Sequence, residues 1–359
     1  MSKFAFLIHP RDNFDVTRRF WFSRCIPSFL VSAIMKLLYG RAGFTVCSKF
    51  KFKRAGKETE GYIIAVLLNG RQMMSLPIEK VRRRVLDAIL YAQNELKIDV
   101  VGLGSLITSV TDGGDWVIKQ PGVKLAVTHG DTFTVAIARQ GIEIILQKFN
   151  FDFVRDKVAV VGAYGLIGRE LCVFLAQKGY RLILVESVPE KIELIKKRMA
   201  REGLSQYILA ASTNVGSIID ADFVITATSH PSYLLKSADL KRNAVVYDIA
   251  QPVNLGQVVA EQRPDIVKID GDYVDINDID LKFLMGPPKG STFACLIETA
   301  MLALEGDKKH HVGNIDKSFL ETTKEWGKKY CFRHASFTSF GKPVRSILLS
   351  SDDKITKIR

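Results

Sequence analysis

No two of the five cysteines, Cys25, Cys47, Cys172, Cys295 and Cys331, form a CxxC pair. The spacing used by dithiol redox sites and by paired zinc thiolates is therefore missing. The N-terminus, MSKFAFLIHPRD, lacks the long apolar core of a secretory signal. A cytoplasmic chain with reduced thiols is expected, in which at most one or two cysteines matter. Long uninterrupted apolar runs are lacking too. The richest stretch, Phe20–Tyr39, is broken by Arg24, Pro27 and Lys36, which argues against a transmembrane span. It reads as a core segment, with a tunnel for long apolar chains or a peripheral membrane contact as sharper alternatives. Zinc-finger spacing and RNP-like aromatic motifs are absent, so nucleic acid is not an expected partner. The adjacent His310 and His311 cannot share a helix face, and no metal site is expected.

What is present is basic and long. The 359 residues carry 51 Lys and Arg against 38 Asp and Glu, a net charge of +13. That length can bury two cores, and the charge favours anionic lipid or an acidic carrier protein. Two basic stretches are candidate docking patches. In Ser48–Arg54, Lys49, Lys51 and Lys53 alternate with Phe50 and Phe52, so a strand there has a lysine face and a phenylalanine face. Arg82–Arg84 lie near the start of a helix that Pro77 opens and that Val81, Val85, Ile89 and Ala92 continue.

The organising stretch is Lys157–Arg169, KVAVVGAYGLIGR. Val158–Val161 reads as a buried strand. Gly162, Ala163, Tyr164, Gly165, Leu166, Ile167 and Gly168 form a glycine turn, and Leu171, Cys172, Phe174 and Leu175 continue at helical spacing. Gly162 permits the turn, Gly165 leaves room for a phosphate, and Gly168 lets the helix lie close on the strand. The helix start then offers amide donors to a pyrophosphate, the pattern of a dinucleotide site. Glu186, followed by Ser187, ends the next strand, Leu182–Val185, where a carboxylate meets a ribose 2′-OH.

Further strands are expected at Tyr207–Ala210, Asp222–Thr226, Ala244–Ile249 and Ile266–Ile269. Their alternation with helices predicts a doubly wound parallel sheet. Thr226, Ala227 and Thr228 close one strand beside the cofactor, and Asp248 ends another facing the crevice. Upstream, Tyr62–Leu68 reads as a strand, and Val100–Ile107 as a strand running into a glycine-containing turn. Val127–Val135, VTHGDTFTV, reads as a polar loop able to line a cleft, with His129 a candidate acid, before a helix at Ala136–Phe149. The fold class is thus α/β. The expected domains are a substrate-binding α/β domain (1–150), a Rossmann-type dinucleotide domain (151–290), and a helix and basic tail (291–359).

Phe293–Glu305 reads as a helix with one apolar stripe, Phe293, Leu296, Ile297, Ala300, Met301 and Leu304, closed by Gly306. Cys295 lies off that stripe in the first turn, where the helix dipole favours a thiolate. The tail beyond residue 307 looks peripheral.

In order along the chain, FAFLIHPRD, VRRRVLDAILYAQ, VTHGDTFTVA, KVAVVGAYGLIG and FACLIETAMLALEG resemble the long-chain acyl-(acyl-carrier-protein) reductases, which form fatty aldehydes. The resemblance runs from about residue 3 to residue 306, and the cysteine-containing segment is its most specific part. It implies an N-terminal substrate domain, a Rossmann domain, and a cysteine, corresponding to Cys295, that accepts the acyl group. The cofactor glycines correspond to Gly162, Gly165 and Gly168. NADH or NADPH would be the cofactor, and acyl-carrier protein or acyl-coenzyme A the partner, with an aldehyde-consuming enzyme downstream. The family tends to place a small residue and then Arg at the second strand end, which suits NADPH. Glu186-Ser187 stands there instead, which favours NADH. Two alternatives are an amino-acid or shikimate-type dehydrogenase without a covalent intermediate, and a cofactor- or carrier-binding protein without turnover.

Overall fold

A computed structural model describes residues 2–10 and 43–344; Phe20–Tyr39 and Cys25 lie outside them. Two compact units are present. The first comprises Met1–Phe133, Ile276–Met285 and Ala294–Cys331, and the second Thr134–Asp275, Gly286–Phe293 and Phe332–Arg359. These interleaved units differ from the three consecutive segments expected. The reason lies in the helix after residue 293, which needs apolar cover on every side and finds it on the first unit's sheet.

The first unit is built on β1 (Lys3–Ile8), β2 (Phe44–Arg54), β3 (Lys57–Val66), β4 (Val100–Leu103) and β5 (Ala126–Thr128), in the order β2-β3-β1-β4-β5. All neighbours are parallel except β2, which runs antiparallel to β3 at the edge. Helix α1 (Ile78–Asn94) covers one face, burying Val81, Val85, Ala88, Ile89 and Ala92 against Ala5, Leu7, Ile64 and Val66. Both faces are covered, which is why the central strands carry apolar residues at successive positions rather than alternately. On edge strand β2 the alternation holds, with Phe50 and Phe52 buried and the lysines outside.

Those lysines are not a free basic patch. Lys49 pairs with Glu60 at 3.0 Å, and Lys51 and Lys53 pair with Glu58 at 3.4 and 2.9 Å. The arginines of α1 are occupied as well. Arg82 pairs with Asp112 at 2.5 Å, Arg83 with Asp87 at 3.1 Å, and Arg84 donates to the Leu67 carbonyl at 3.1 Å. Both candidate docking patches are largely neutralised by neighbours.

In the second unit six parallel strands, β6 (Lys157–Val161), β7 (Arg181–Val185), β8 (Ile208–Ser212), β9 (Phe223–Thr226), β10 (Val245–Asp248) and β11 (Val267–Asp270), lie in the order β11-β10-β9-β6-β7-β8. Numbered within the unit this is 6-5-4-1-2-3, the doubly wound dinucleotide-binding order, with its switch point between β6 and β9. Helix α2 (Asp131–Lys148) begins in the first unit's segment and continues into the second. It starts five residues before the expected Ala136, so the second half of the polar stretch is helical. Helices α3 (Leu166–Gln177) and α4 (Pro189–Arg201) follow β6 and β7. A short hairpin, β12 (Tyr273–Asp275) with β13 (Ser291–Phe293), precedes α5 (Ala294–Glu305).

Helix α5 has no solvent face apart from its ends. Ala294 and every residue from Leu296 to Leu304 are buried, because α5 packs on β1, β3 and β4. The single apolar stripe read from the sequence is therefore a helix buried all round. Nor is the segment after residue 307 peripheral. His311 donates its N–H to the Val127 carbonyl at 2.8 Å and accepts from the His129 N–H at 3.1 Å, adding a short parallel strand beside β5. The His311 ring stacks on Phe319 of α6 (Lys317–Lys329). Glu305 gathers Lys57, Lys329 and Tyr330 around the end of α5. In the second unit Asp270 receives the Thr338 hydroxyl and the Phe340 and Gly341 N–H groups, which fixes residues 338–341 to the end of β11.

The seat of α5 depends on Gly102 of β4. A Cβ there would overlap the Thr299 hydroxyl and come within 2.8 Å of the Phe6 ring. Gly102→Ala is expected to lower stability by about 1–3 kcal/mol, the usual cost of overpacking. Thr299→Ala in the same chain should restore part of that loss, since it removes the hydroxyl. Denaturant unfolding of both variants checks it, and a neutral Gly102→Ala would contradict this packing.

Candidate active site

The glycine turn of the second unit has the shape its sequence requires. Gly162 adopts φ +86°, a left-handed conformation that favours glycine, and a Cβ there would stand 2.5 Å from the Ala227 carbonyl oxygen. The turn after β6 thus touches the turn after β9 at the switch point. Gly168 has no room for a methyl group at all, because a Cβ would overlap the Gly162 carbonyl. That contact seats α3 on the turn. Gly165 is the N-cap of α3 and supplies no side chain to its first turn. The amides of Leu166, Ile167 and Gly168 therefore begin the helix without a side-chain cap, the donor arrangement that holds a pyrophosphate. Ala163 is buried, whereas Tyr164, Gly165, Leu166 and Ile167 are half-buried.

Glu186 ends β7 and is 7% exposed; its Oε1 accepts the Tyr164 N–H at 2.8 Å. The carboxylate braces the glycine turn from the position where a ribose 2′-OH is read. Ser187 beside it is exposed. The glycine turn, the uncapped start of α3 and the Glu186 carboxylate are of a kind that fits a nicotinamide dinucleotide.

One expectation is corrected, that Asp248 faces the crevice. Asp248 is fully buried and does not face a crevice. It accepts the Thr226 hydroxyl at 2.5 Å and the Asn254 and Leu255 N–H groups, each at 2.9 Å to Oδ2. Thr226, also fully buried, is committed to that bond. The pair ties the ends of β9 and β10 together, so their part is to shape the loops. Ala227 and Thr228 remain half-buried beside Gly162, with the Thr228 hydroxyl donated to Asn254 Oδ1 at 2.7 Å.

The first unit holds the cysteine site. Cys295 is partly exposed in the first turn of α5. Gly130, at φ +75°, lies directly against it, and a Cβ on Gly130 would stand 2.7 Å from the Cys295 Cα. Gly130 follows His129, so the loop that carries His129 passes against the Cys295 backbone. The His129 ring is buried, 1% exposed, and its Nδ1 accepts the Asp131 N–H at 2.9 Å. A donor at Nδ1 requires the lone pair there, which leaves the proton of the neutral ring on Nε2. Of the other described cysteines, Cys172 is buried beneath the glycine turn, and burial pushes its thiol well above the usual range. Cys47 is partly exposed and Cys331 exposed, each far along the chain from these motifs.

Sequence reasoning missed Glu298. It lies one turn beyond Cys295 on α5 and is fully buried. Its Oε1 accepts the Thr128 hydroxyl, and its Oε2 accepts the Phe133 N–H at 2.6 Å. The Gly130 and Thr132 amides also donate toward it, so the carboxyl caps the start of α2 from another helix. Burial raises its pKa to about 7, against the opposing pull of these donors. A lone acid inside an apolar helix was the available signal.

The shikimate / quinate 5-dehydrogenase family model matches residues 143–272. The long-chain acyl-[acyl-carrier-protein] reductase of Synechococcus elongatus is 27% identical over 264 residues, covering 70% of this chain and 74% of that protein. Among solved structures, a dipicolinate synthase from Bacillus halodurans has 16% identity and a TM-score of 0.33, covering 47% of this chain. The chain spans just over half of that structure, 56%. L-tryptophan dehydrogenase from Nostoc punctiforme has 14% identity and a TM-score of 0.37, covering 74% of this chain and 69% of that one. The chain is a distant relative of the acyl-carrier-protein reductase, and its relationships support an NAD(P)-dependent oxidoreductase.

Gly168→Ala is expected to weaken binding of a reduced dinucleotide at least tenfold by fluorescence titration, while alkylation of Cys295 continues at the wild-type rate. Unchanged affinity would place the cofactor elsewhere. A second expectation concerns pH. Unfolded, Glu298 releases its proton near 4.5; folded, near 7. Between those values the folded chain keeps a proton that the unfolded chain has lost. The stabilisation is complete below pH 4.5 and is lost as pH rises through 7, about 3 kcal/mol in all. Urea unfolding of Glu298→Gln should lack this component, and an identical pH dependence in wild type and variant would contradict it.

Proposed function

We propose that the protein reduces a fatty acyl thioester, carried by acyl-carrier protein or coenzyme A, to a fatty aldehyde through an acyl-enzyme on Cys295. The observation that carries this reading is the seat of Cys295, in a helix first turn and against the His129-Gly130 loop. The first turn of α5 favours the thiolate, the nucleophilic form. That thiolate attacks the thioester carbonyl carbon, forming a new carbon–sulfur bond. First-turn amides stabilise the oxyanion as it develops. The old carbon–sulfur bond then breaks, and the departing thiolate takes a proton from water. Covalent capture divides one difficult step into two.

NADH or NADPH, bound at the glycine turn, would supply the hydride that makes the aldehyde. The bond to Cys295 breaks in that step and the thiolate is restored. Glu186 repels a 2′-phosphate by like charge and accepts from a 2′-OH, which favours NADH. A fatty aldehyde product calls for an enzyme that consumes it. With Lys49, Lys51, Lys53, Arg82 and Arg83 in ion pairs, these patches offer an acidic carrier little net charge, and coenzyme A is the simpler test substrate.

The family-model match over residues 143–272 favours a second reading, a shikimate- or amino-acid-type dehydrogenase without a covalent intermediate. Cys295 separates the two. Incubated with palmitoyl-coenzyme A and reduced cofactor, the wild type should form aldehyde. Cys295→Ser should lose at least a thousandfold in rate while dinucleotide affinity stays unchanged. Full activity in Cys295→Ser would refute the acyl-enzyme and support the dehydrogenase. Steady-state kinetics should give kcat/KM with NADH at least equal to that with NADPH. A strong NADPH preference that survives Glu186→Ala would contradict the role given to Glu186.

A further inference from the structure

Loop Thr128–Phe133 carries Gly130, which lies against the Cys295 backbone, yet its own conformation is costly. Gly130 is left-handed at φ +75° and crowded by the Cys295 backbone, with 3.0 Å from a would-be Cβ to the Cys295 carbonyl oxygen. The amides at the start of α2 need acceptors in a buried setting, since Thr132 is 1% and Phe133 1% exposed. Glu298 answers both needs. One carboxyl oxygen takes the Phe133 N–H, and the other takes the Thr128 hydroxyl. The Thr128 oxygen in turn accepts the Gly130 N–H at 3.1 Å. A chain of bonds therefore runs from Glu298 through Thr128 to the amide of the residue lying on Cys295. Glu298 and Cys295 are three positions apart on one buried helix, so the spacing between anchor and thiol is fixed by α5.

We infer that Glu298, acting through Thr128, is a positioning residue for the Cys295 site. It acts through the loop, keeping Gly130 against the Cys295 backbone and so fixing the surroundings from which the thiolate attacks. Small errors of placement cost much rate when a nucleophile must align with a carbonyl carbon. Two carboxyl oxygens reach two different parts of the loop, which is why the position takes a glutamate. An amide that keeps its oxygen on the Phe133 N–H turns its NH2 to Thr128, which reverses that bond and leaves the Thr128 hydroxyl hydrogen without its acceptor. A hydroxyl is the required feature at residue 128. Serine keeps it, and valine removes it while preserving the shape.

The inference rests on the proposed acyl-enzyme, and two readouts separate them. Glu298→Gln, Thr128→Val and Thr128→Ser would be compared with wild type in the full chain at one pH. One readout is the rate of Cys295 acylation by palmitoyl-coenzyme A without reduced cofactor, followed by peptide mass. The other is the rate of Cys295 alkylation by iodoacetamide, followed on the same peptide. Glu298→Gln and Thr128→Val are expected to slow acylation at least tenfold through kcat, with KM and dinucleotide affinity within threefold of wild type. Their alkylation rates should depart at least threefold from wild type, and Thr128→Ser should match wild type in both. Wild-type rates in Thr128→Val would overturn the inference. So would a Thr128→Ser variant as slow as Thr128→Val, because the hydroxyl would then be irrelevant. If wild-type Cys295 is alkylated but never acylated, the acyl-enzyme reading fails, and the alkylation rates alone decide the positioning role. If Glu298→Gln does not fold, the Thr128 pair decides.

Discussion

Between Gly130 and Cys295 there is no space for a methyl group, and the site depends on that closeness. A left-handed residue pressed onto a helix backbone persists only where its surroundings over-determine it. Here they do so from three directions. Glu298 and Thr128 hold the loop from α5 and β5. His311 pairs its backbone with Val127 and His129 on the outer side of β5. Helix α5 itself cannot shift, because Gly102 and its neighbours on the sheet accept Thr299 with nothing to spare. A thiol in this setting has a fixed position and a partly open face, while Cys172, which is buried, has a position but no access.

The second unit repeats the same physical theme with backbone alone. Gly162 and Gly168 bring a turn, a helix start and the loop after β9 within contact distance, and Glu186 braces the turn from β7. The uncapped amides at the start of α3 are donors of the kind that hold a pyrophosphate. Asp248 and Thr226 satisfy each other beneath the loops, so the surface above them is shaped by groups that do not reach it.

Much of this is legible in the chain. Strand positions around Gly162 follow from short apolar runs, and the β2 alternation of Phe and Lys sets its buried face correctly, because both patterns are local. Partners distant in sequence are not legible. Glu298 meets donors some 165 to 170 residues upstream, and within its own helix it looks like a solvent-side acid. Asp248 reads as a crevice residue because a strand-end carboxylate is often one. Its true partners, Asn254 and Leu255, come from a loop whose path the sequence does not reveal. The lysines of β2 count as net charge in the sequence, whereas the fold sets Glu58 and Glu60 opposite them. The docking of His311 beside β5 is not legible either, because that bridge is backbone-driven and leaves no side-chain pattern.

The central claim is that Cys295 takes the acyl group before any hydride arrives. Mass analysis of the protein mixed with palmitoyl-coenzyme A in the absence of reduced cofactor tests it directly, with NADH added afterwards as a chase. The account predicts one palmitoyl mass on the peptide containing Cys295, cleared on the chase with release of an equal amount of hexadecanal. Aldehyde formed without any such adduct, or an adduct on Cys295 that the chase leaves in place, would contradict it.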